Sequence, residues 1–155
     1  GEAGAEEEEE VDGGVQWDED EHTCKLPPDG VFTLETLEQW DGVQLPMCLA
    51  ICGKVVDVSS SSNFVPGHGY GKLWAGKDAT LSMAQCSLKS DTVNSLNFTV
   101  EGLEDMQVDA LAGWYSHFTN KYPMRGTLKE YDGWDFSKIF DKAKDIAPPN
   151  FAGAS

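Results

Sequence analysis

The chain has 155 residues, 40% of them hydrophobic, which is enough for one folded domain with tails. Its formal net charge is -16 at pH 7, and residues 1–21 contribute eleven carboxylates and no lysine or arginine. Because lysine and arginine do not cluster, the sequence excludes a nucleic-acid footprint, and no run of about 18 apolar residues is present that could span a bilayer.

Residues 1–29 are predicted to form an acidic, disordered tail that ends at Pro27-Pro28-Asp29-Gly30. A block such as Glu6 to Glu10 repels itself and buries nothing. The tail is either a solubilising segment or an acidic arm for a basic partner surface. Because the first residue is Gly1, we expect a processed N-terminus, which a signal, transit or anchor segment could precede.

The first elements of the domain are a short strand at Val31-Phe32 and a helix capped by Thr33 that is predicted to reach Trp40. Residues 47–58 have the clearest β pattern, and they predict a hairpin that turns at residues 52–54. A polar loop and a glycine-rich segment follow, and Thr80 or a neighbour is expected to open a short helix.

The most regular helical pattern covers about residues 104–120. Its apolar residues recur with a 3.6-residue period, at Leu103, Met106, Ala110, Leu111, Trp114 and Phe118. We expect Trp114 and Phe118 in the core and His117, which lies off this stripe, at the surface. A second amphipathic helix is predicted at residues 134–146, within a C-terminal extension that covers residues 131–155.

The four cysteines are irregularly spaced, at Cys24, Cys48, Cys52 and Cys86. Cys48 and Cys52 would lie about 13 Å apart along a strand, which is too far for a disulfide bond. Buried free thiols are therefore expected. The spacing and the few histidines also argue against a zinc site.

Several segments, in unbroken order over about residues 30–130, resemble a known family. They are residues 32–42 (FTLETLEQWDG), 51–59 (ICGKVVDVS), 66–71 (PGHGYG), 75–80 (AGKDAT), 114–118 (WYSHF), 121–122 (KY) and 126–128 (GTL). These are similar to the motifs of cytochrome-b5-like haem/steroid-binding domains of the membrane-associated progesterone receptor (MAPR) type. The resemblance implies an α+β fold in which a small mixed sheet and helices form a ligand pocket.

The resemblance also implies a haem site. Cytochrome b5 itself holds haem between two histidines, one of them in an HPGG motif that is absent here. Relatives of the MAPR type ligate the iron through a tyrosine phenolate, and Tyr70 aligns with that metal ligand. Lys121 and Tyr122 align with residues that support it by hydrogen bonding. Since an anionic oxygen ligand favours ferric iron, such a site suits haem carriage, sensing or partner regulation better than electron transfer.

Other residues near Tyr70 are expected to contact the ligand. Gly69 and Gly71 would let the backbone approach a flat ring, and Trp74 would lie beside it. The segment from Tyr70 to Ala75 is one residue longer than the family spacing, so Trp74 could instead fill the space of the haem. Tyr70 could equally pack its ring over the core. Asp78 is expected to hold a loop.

Two functions fit this interpretation. The first is a haem- or sterol-binding module that carries haem or modulates a membrane-associated partner such as a P450-like enzyme. The second is a ligand-free MAPR scaffold that serves as an accessory or structural subunit of a larger complex, which could be membrane-bound. The acidic tail and the aromatic residues of the extension favour the second, since exposed aromatics need a partner or a core to cover them. The sequence contains no nucleophile–base or paired-carboxylate arrangement, so we do not expect an enzyme.

Overall fold

A four-stranded sheet forms the base of the fold in the computed structural model, which describes residues 16–146. Its strands are β1 (Val31–Phe32), β2 (Cys48–Ile51), β3 (Lys54–Asp57) and β4 (Met124–Leu128), in the spatial order β1-β4-β3-β2. β1 and β4 are parallel, whereas the β2–β3 and β3–β4 pairs are antiparallel. The sheet is therefore small and mixed, and the predicted α+β class is confirmed.

The predicted hairpin is formed by β2 and β3. Its turn consists of Cys52 and Gly53, both with positive φ (50° and 80°), between the paired residues Ile51 and Lys54. Positive φ at both central residues is what a two-residue hairpin turn of type I′ requires. Every residue of β2 is buried, which explains why this stretch reads as a continuous apolar run rather than an alternating one.

The helices lie around this sheet. They are α1 (Leu34–Leu37), α2 (Gly69–Trp74), α3 (Thr80–Ala84), α4 (Asp105–Lys121) and α5 (Ser137–Lys144). Thr33 caps α1 as predicted, since its side chain accepts a hydrogen bond from the Thr36 N–H at 3.0 Å. The helix ends at Leu37, short of the predicted Trp40, and the Trp40 carbonyl accepts a hydrogen bond from the Cys48 N–H at the start of β2.

Helix α4 has the predicted extent, but its buried face is rotated. Met106 is 72% exposed and Trp114 is only half-buried, while Val108 and Leu111 point into the core and Phe118 is fully buried. Phe118 thus lies in the core as predicted, Trp114 only packs against the core, and Met106 of the apolar stripe faces solvent. Apolar residues occur all round this helix, so the sequence alone did not decide which of them face the neighbouring elements.

The C-terminal extension shares the core of the domain as far as residue 146. Tyr131, Phe136, Ile139 and Ala143 are buried there, and α5 packs against α4. The predicted amphipathic helix is present, although it is shorter than residues 134–146. The extension's central aromatic residues are therefore covered by the protein's own core.

Part of the predicted acidic tail contacts the sheet. Residues 19–22 form a 3-10 turn, and His22 Nδ1 lies 2.7 Å from Asp57 Oδ2 at the end of β3. The Glu6 to Glu10 block and Phe151 lie outside the described residues. Within residues 16–146, no helix is both long and apolar enough to cross a membrane.

Candidate functional site

Tyr70 and Trp74 form the centre of the candidate site on helix α2. Their rings stack face to face, with centroids 4.7 Å apart and planes 4° from parallel. Trp74 is only 2% exposed, and its indole N–H donates to Ser82 Oγ at 3.1 Å. Tyr70 is 36% exposed. The buried tryptophan thus fixes the plane of the tyrosine ring, and the tyrosine presents part of its surface to solvent.

Glycine suits the two predicted positions beside Tyr70, residues 69 and 71, for different structural reasons. Gly69 has a φ of 55°, which favours glycine, and nothing lies within 4 Å of where its Cβ would be. A Cβ on Gly71 would collide with the backbone carbonyl of Val65. Gly71 therefore permits close packing of α2 on the preceding loop, and the space that its missing side chain leaves is filled by protein rather than by a ligand.

A cleft of about 900 Å³ opens beside Tyr70, between α2 and residues 88–94. Its apolar walls are Leu73 on the helix side and Leu88 and Val93 on the other side. The remaining lining residues are polar, charged or glycine: Asn63, Gly69, Lys72, Lys77, Ser90 and Asn94. This volume is at the upper end of the range for small-molecule sites in proteins, about 300–1,000 Å³.

A second, smaller cleft of about 210 Å³ adjoins the first. Tyr70 and Leu88 line both clefts, and Leu88 is 67% exposed. Trp74 and Trp114 also line the smaller cleft. Tyr70 thus lies where the two clefts meet, so one phenol borders all of this space.

Lys121 and Tyr122 lie at the C-terminal end of α4 and reach Tyr70 only indirectly. The ring of Tyr70 contacts Phe64, Phe64 contacts Phe118, and Phe118 contacts Tyr122, with centroid distances of 5.9, 5.9 and 5.7 Å. Lys121 Nζ lies 5.4 Å from the Tyr122 ring centroid. The rings of Phe64 and Phe118 thus lie between Tyr70 and Tyr122. The structure places Tyr70 and Tyr122 in one aromatic cluster, with Lys121 against the ring of Tyr122.

Asp78 holds the loop behind the cleft, as expected. This fully buried carboxylate accepts hydrogen bonds from the hydroxyls of Thr80 and Tyr131, both at 2.6 Å, and its N–H donates to Asn94 Oδ1 at 2.7 Å. Burial raises the pKa of Asp78 to about 6, although the hydrogen bonds from Thr80 and Tyr131 oppose the rise. The network links α3 and the C-terminal extension to Asn94 in the cleft wall.

A cluster of polar residues around Asp57 resembles a catalytic arrangement only in composition. Ser59 Oγ donates to Asp57 Oδ1 at 2.5 Å, while His22 Nδ1 and the Arg125 guanidinium contact Asp57 Oδ2. The imidazole nitrogen nearest to Ser59, at 3.5 Å, is the same one that faces the carboxylate. The short hydrogen bond of the serine is therefore to the carboxylate rather than to the histidine, and the contact between His22 and Asp57 joins the N-terminal turn to the sheet.

The cysteines and histidines do not form a metal site in the described part of the chain. No group of three or more His, Cys, Asp and Glu side chains there could hold a metal ion. All four cysteines are free, as expected, but only Cys48 and Cys52 are buried, and burial raises their thiol pKa values well above the usual range. Burial lowers the pKa of the half-buried His117, and the nearby Lys121 ammonium adds a smaller effect in the same direction.

Several lining residues were not predicted from the sequence. Lys72 is adjacent to predicted site residues, and its position near Tyr70 was the only available signal. Leu88, Val93 and Asn94 lie in a segment without a regular pattern. Nothing local in the sequence indicated that this segment forms the opposite wall of the cleft.

No family model matches the chain. A comparison with curated proteins found several relatives. The chain is 37% identical over 102 residues to Membrane steroid-binding protein 1 of Arabidopsis thaliana, covering 64% of this chain and 45% of that protein. It is 33% identical over 99 residues to Probable steroid-binding protein 3 of the same plant, covering 63% of this chain and 96% of that protein. With the human Membrane-associated progesterone receptor component 2 it shares 35% over 99 residues, covering 63% of this chain and 44% of that protein.

The chain thus spans less than half the length of the membrane steroid-binding proteins that it matches. Among solved structures, an Arabidopsis thaliana protein described as having a cytochrome b5 like fold superposes with a TM-score of 0.54 at 32% identity. That match covers 69% of this chain and 94% of the other.

Proposed function

Because this chain belongs to the membrane steroid-binding and membrane-associated progesterone receptor family, with its cytochrome-b5-like fold, we propose that it binds a flat hydrophobic ligand, haem or a sterol, in the cleft beside Tyr70. The observation that carries the proposal is the part-exposed Tyr70 phenol, held by the buried Trp74 ring at the edge of an apolar-walled cleft of about 900 Å³. A rigid aromatic platform beside an apolar cleft suits a flat ring system.

The lining residues fit haem as well as a sterol. Leu73, Leu88 and Val93 would contact the macrocycle, and the Tyr70 oxygen is the proposed iron ligand. A bound haem would supply an iron centre with a visible absorption spectrum. A phenol ordinarily has a pKa of about 10, so ligation requires loss of its proton, which a nearby positive charge favours. We propose that Lys121 and Tyr122 support Tyr70 indirectly, by packing in the aromatic cluster that contacts its ring.

We propose that the bound ligand serves carriage, or modulation of a membrane-associated partner such as a P450-like enzyme. The names of the relatives support a small-ligand binder at a membrane and do not extend to a particular partner. The relatives are named as binding proteins and receptor components, which supports binding rather than catalysis.

The second candidate is the ligand-free accessory subunit. One observation favours it: Trp74 stacks directly on one face of Tyr70, so no ligand fits between these two rings. The aromatic residues of the extension no longer favour it. Tyr131 and Phe136 of the extension are buried in the protein's own core and need no partner to cover them. Ligand binding therefore remains the favoured function.

An absorption spectrum tests the proposal. We expect protein expressed with added haem to show a Soret band with the features of ferric, high-spin tyrosinate ligation, and we expect Tyr70→Phe to lose those features. Tyr115→Phe is the matched control, because Tyr115 packs against Phe140 on α5 and lines neither cleft.

Sterol binding is tested in parallel by adding progesterone and recording tryptophan fluorescence, since Trp74 and Trp114 line the smaller cleft. If haem gives no Soret band and progesterone leaves the emission unchanged, the ligand-binding proposal is wrong. Stable co-purification of this ligand-free protein with a large complex would then favour the accessory subunit.

A further inference from the structure

The charges at the cleft beside Tyr70 are of one sign. Among the described residues that line it, the only charged side chains are Lys72 and Lys77. The chain as a whole carries a formal charge of -16, so this cleft is a locally positive site on an acidic protein. An anionic ligand would be attracted to these lysines.

The two lysines differ in how far their charge is already neutralised. Lys77 Nζ lies 3.2 Å from the Glu38 carboxylate, so part of its charge is compensated. Lys72 is exposed on α2, and within residues 16–146 no carboxylate lies within ion-pair distance of its ammonium. Lys72 is therefore the cation that can pair with a ligand at no cost to an existing ion pair.

The positions of these groups suit an amphipathic molecule. The apolar side chains Leu73, Leu88 and Val93 would take a ring system, and the exposed Lys72 in the cleft lining would pair with an acid group of that molecule. A neutral sterol would use the apolar walls and leave the lysine charge unused.

We propose that this cleft selects flat apolar ligands that carry a carboxylate over neutral ones, with Lys72 as the main contact and Lys77 as a second. This inference rests on the proposed function, because it specifies the ligand class of the same cleft. Lys72 is then a specificity residue that acts on the ligand's acid group, independently of any bond that Tyr70 makes to iron.

Metal-free protoporphyrin IX and its dimethyl ester provide the test, because they differ only in their carboxyl groups and neither brings iron to Tyr70. Binding is measured by quenching of tryptophan fluorescence at low and at high salt. We expect Lys72→Gln to weaken binding of the acid by roughly three- to fivefold at low salt, as for an exposed ion pair, and less at high salt. Affinity for the ester should stay the same.

Lys138→Gln is the matched control, since Lys138 is an exposed lysine on α5 that does not line the cleft. Charge reversal in Lys72→Glu should weaken binding of the acid further, with the ester again unaffected. Circular dichroism checks that each variant is folded.

The outcomes separate the two proposals. If acid and ester bind with wild-type affinities in Lys72→Gln, Lys72→Glu and Lys77→Gln, the carboxylate preference is overturned and a ligand cleft remains. If neither porphyrin binds the wild-type protein, and haem and progesterone also fail to bind, both proposals are overturned. Selective loss of acid binding supports both.

Discussion

Replacing Asp78 by asparagine tests whether a buried carboxyl makes the stability of this fold depend on pH. Asp78 is fully buried, and burial raises its pKa from 3.8 to about 6 in the folded protein. The folded state then binds the proton more tightly than the unfolded state, so the free energy of unfolding falls as the pH rises between these values. The full loss from this group corresponds to about 3 kcal/mol.

Asparagine cannot ionise, so Asp78→Asn lacks this loss. We expect the unfolding free energy of the variant, relative to wild type, to increase by about 2 kcal/mol between about pH 4.5 and about pH 7.5. Any fixed cost of placing an amide opposite Thr80 and Tyr131 cancels in this comparison. Urea denaturation followed by tryptophan fluorescence measures the difference at each pH, and the exposed Asp91→Asn is the control.

Tyr131→Phe examines the same network from the other side. It removes the hydroxyl that donates to Asp78, and a hydrogen bond to a charged group contributes about 1.5–3 kcal/mol. The loss of unfolding free energy caused by Tyr131→Phe should be larger at high pH, where Asp78 is ionised. It should be smaller in a protein that also carries Asp78→Asn. A stability difference between Asp78→Asn and wild type that is constant with pH would refute this reasoning.

The remaining predictions concern packing and the N-terminal turn. Gly71→Ala should destabilise the protein by about 1–3 kcal/mol in urea denaturation, because the added Cβ meets the Val65 backbone. The matched Gly113→Ala, on α4 with nothing within 4 Å, should be neutral or stabilising, and equal effects of the two would contradict the packing argument. His22→Ala should lower the free energy of unfolding by about 2 kcal/mol, because it removes a contact to the buried Asp57. The same variant should be cleaved faster by trypsin at Lys25. Unchanged cleavage would show that this contact does not anchor the turn.

The hairpin, the α1 cap, α4 and α5 were predictable because their signals are local. Each of these signals depends only on neighbours along the chain. They are two apolar runs on either side of Cys52-Gly53, a threonine before Leu34 and a 3.6-residue period of apolar residues. Helix α2 and strand β4 were missed for the opposite reason. The glycine-rich start of α2 is stabilised by burial of Trp74, and β4 pairs with β1 and β3, which are distant in sequence.

By itself, the sequence determined the α+β scaffold, the family motifs and the placement of Gly69, Tyr70, Gly71 and Trp74 together, since these four are neighbours along one segment. Only the tertiary structure decided what surrounds Tyr70. It put two aromatic rings between Tyr122 and the phenol, with Lys121 beyond Tyr122, and it brought residues 88–94 opposite Lys72 to form the cleft. The physical reason is that a cleft wall and a buried face arise from contacts between distant segments, which no local period in the sequence encodes.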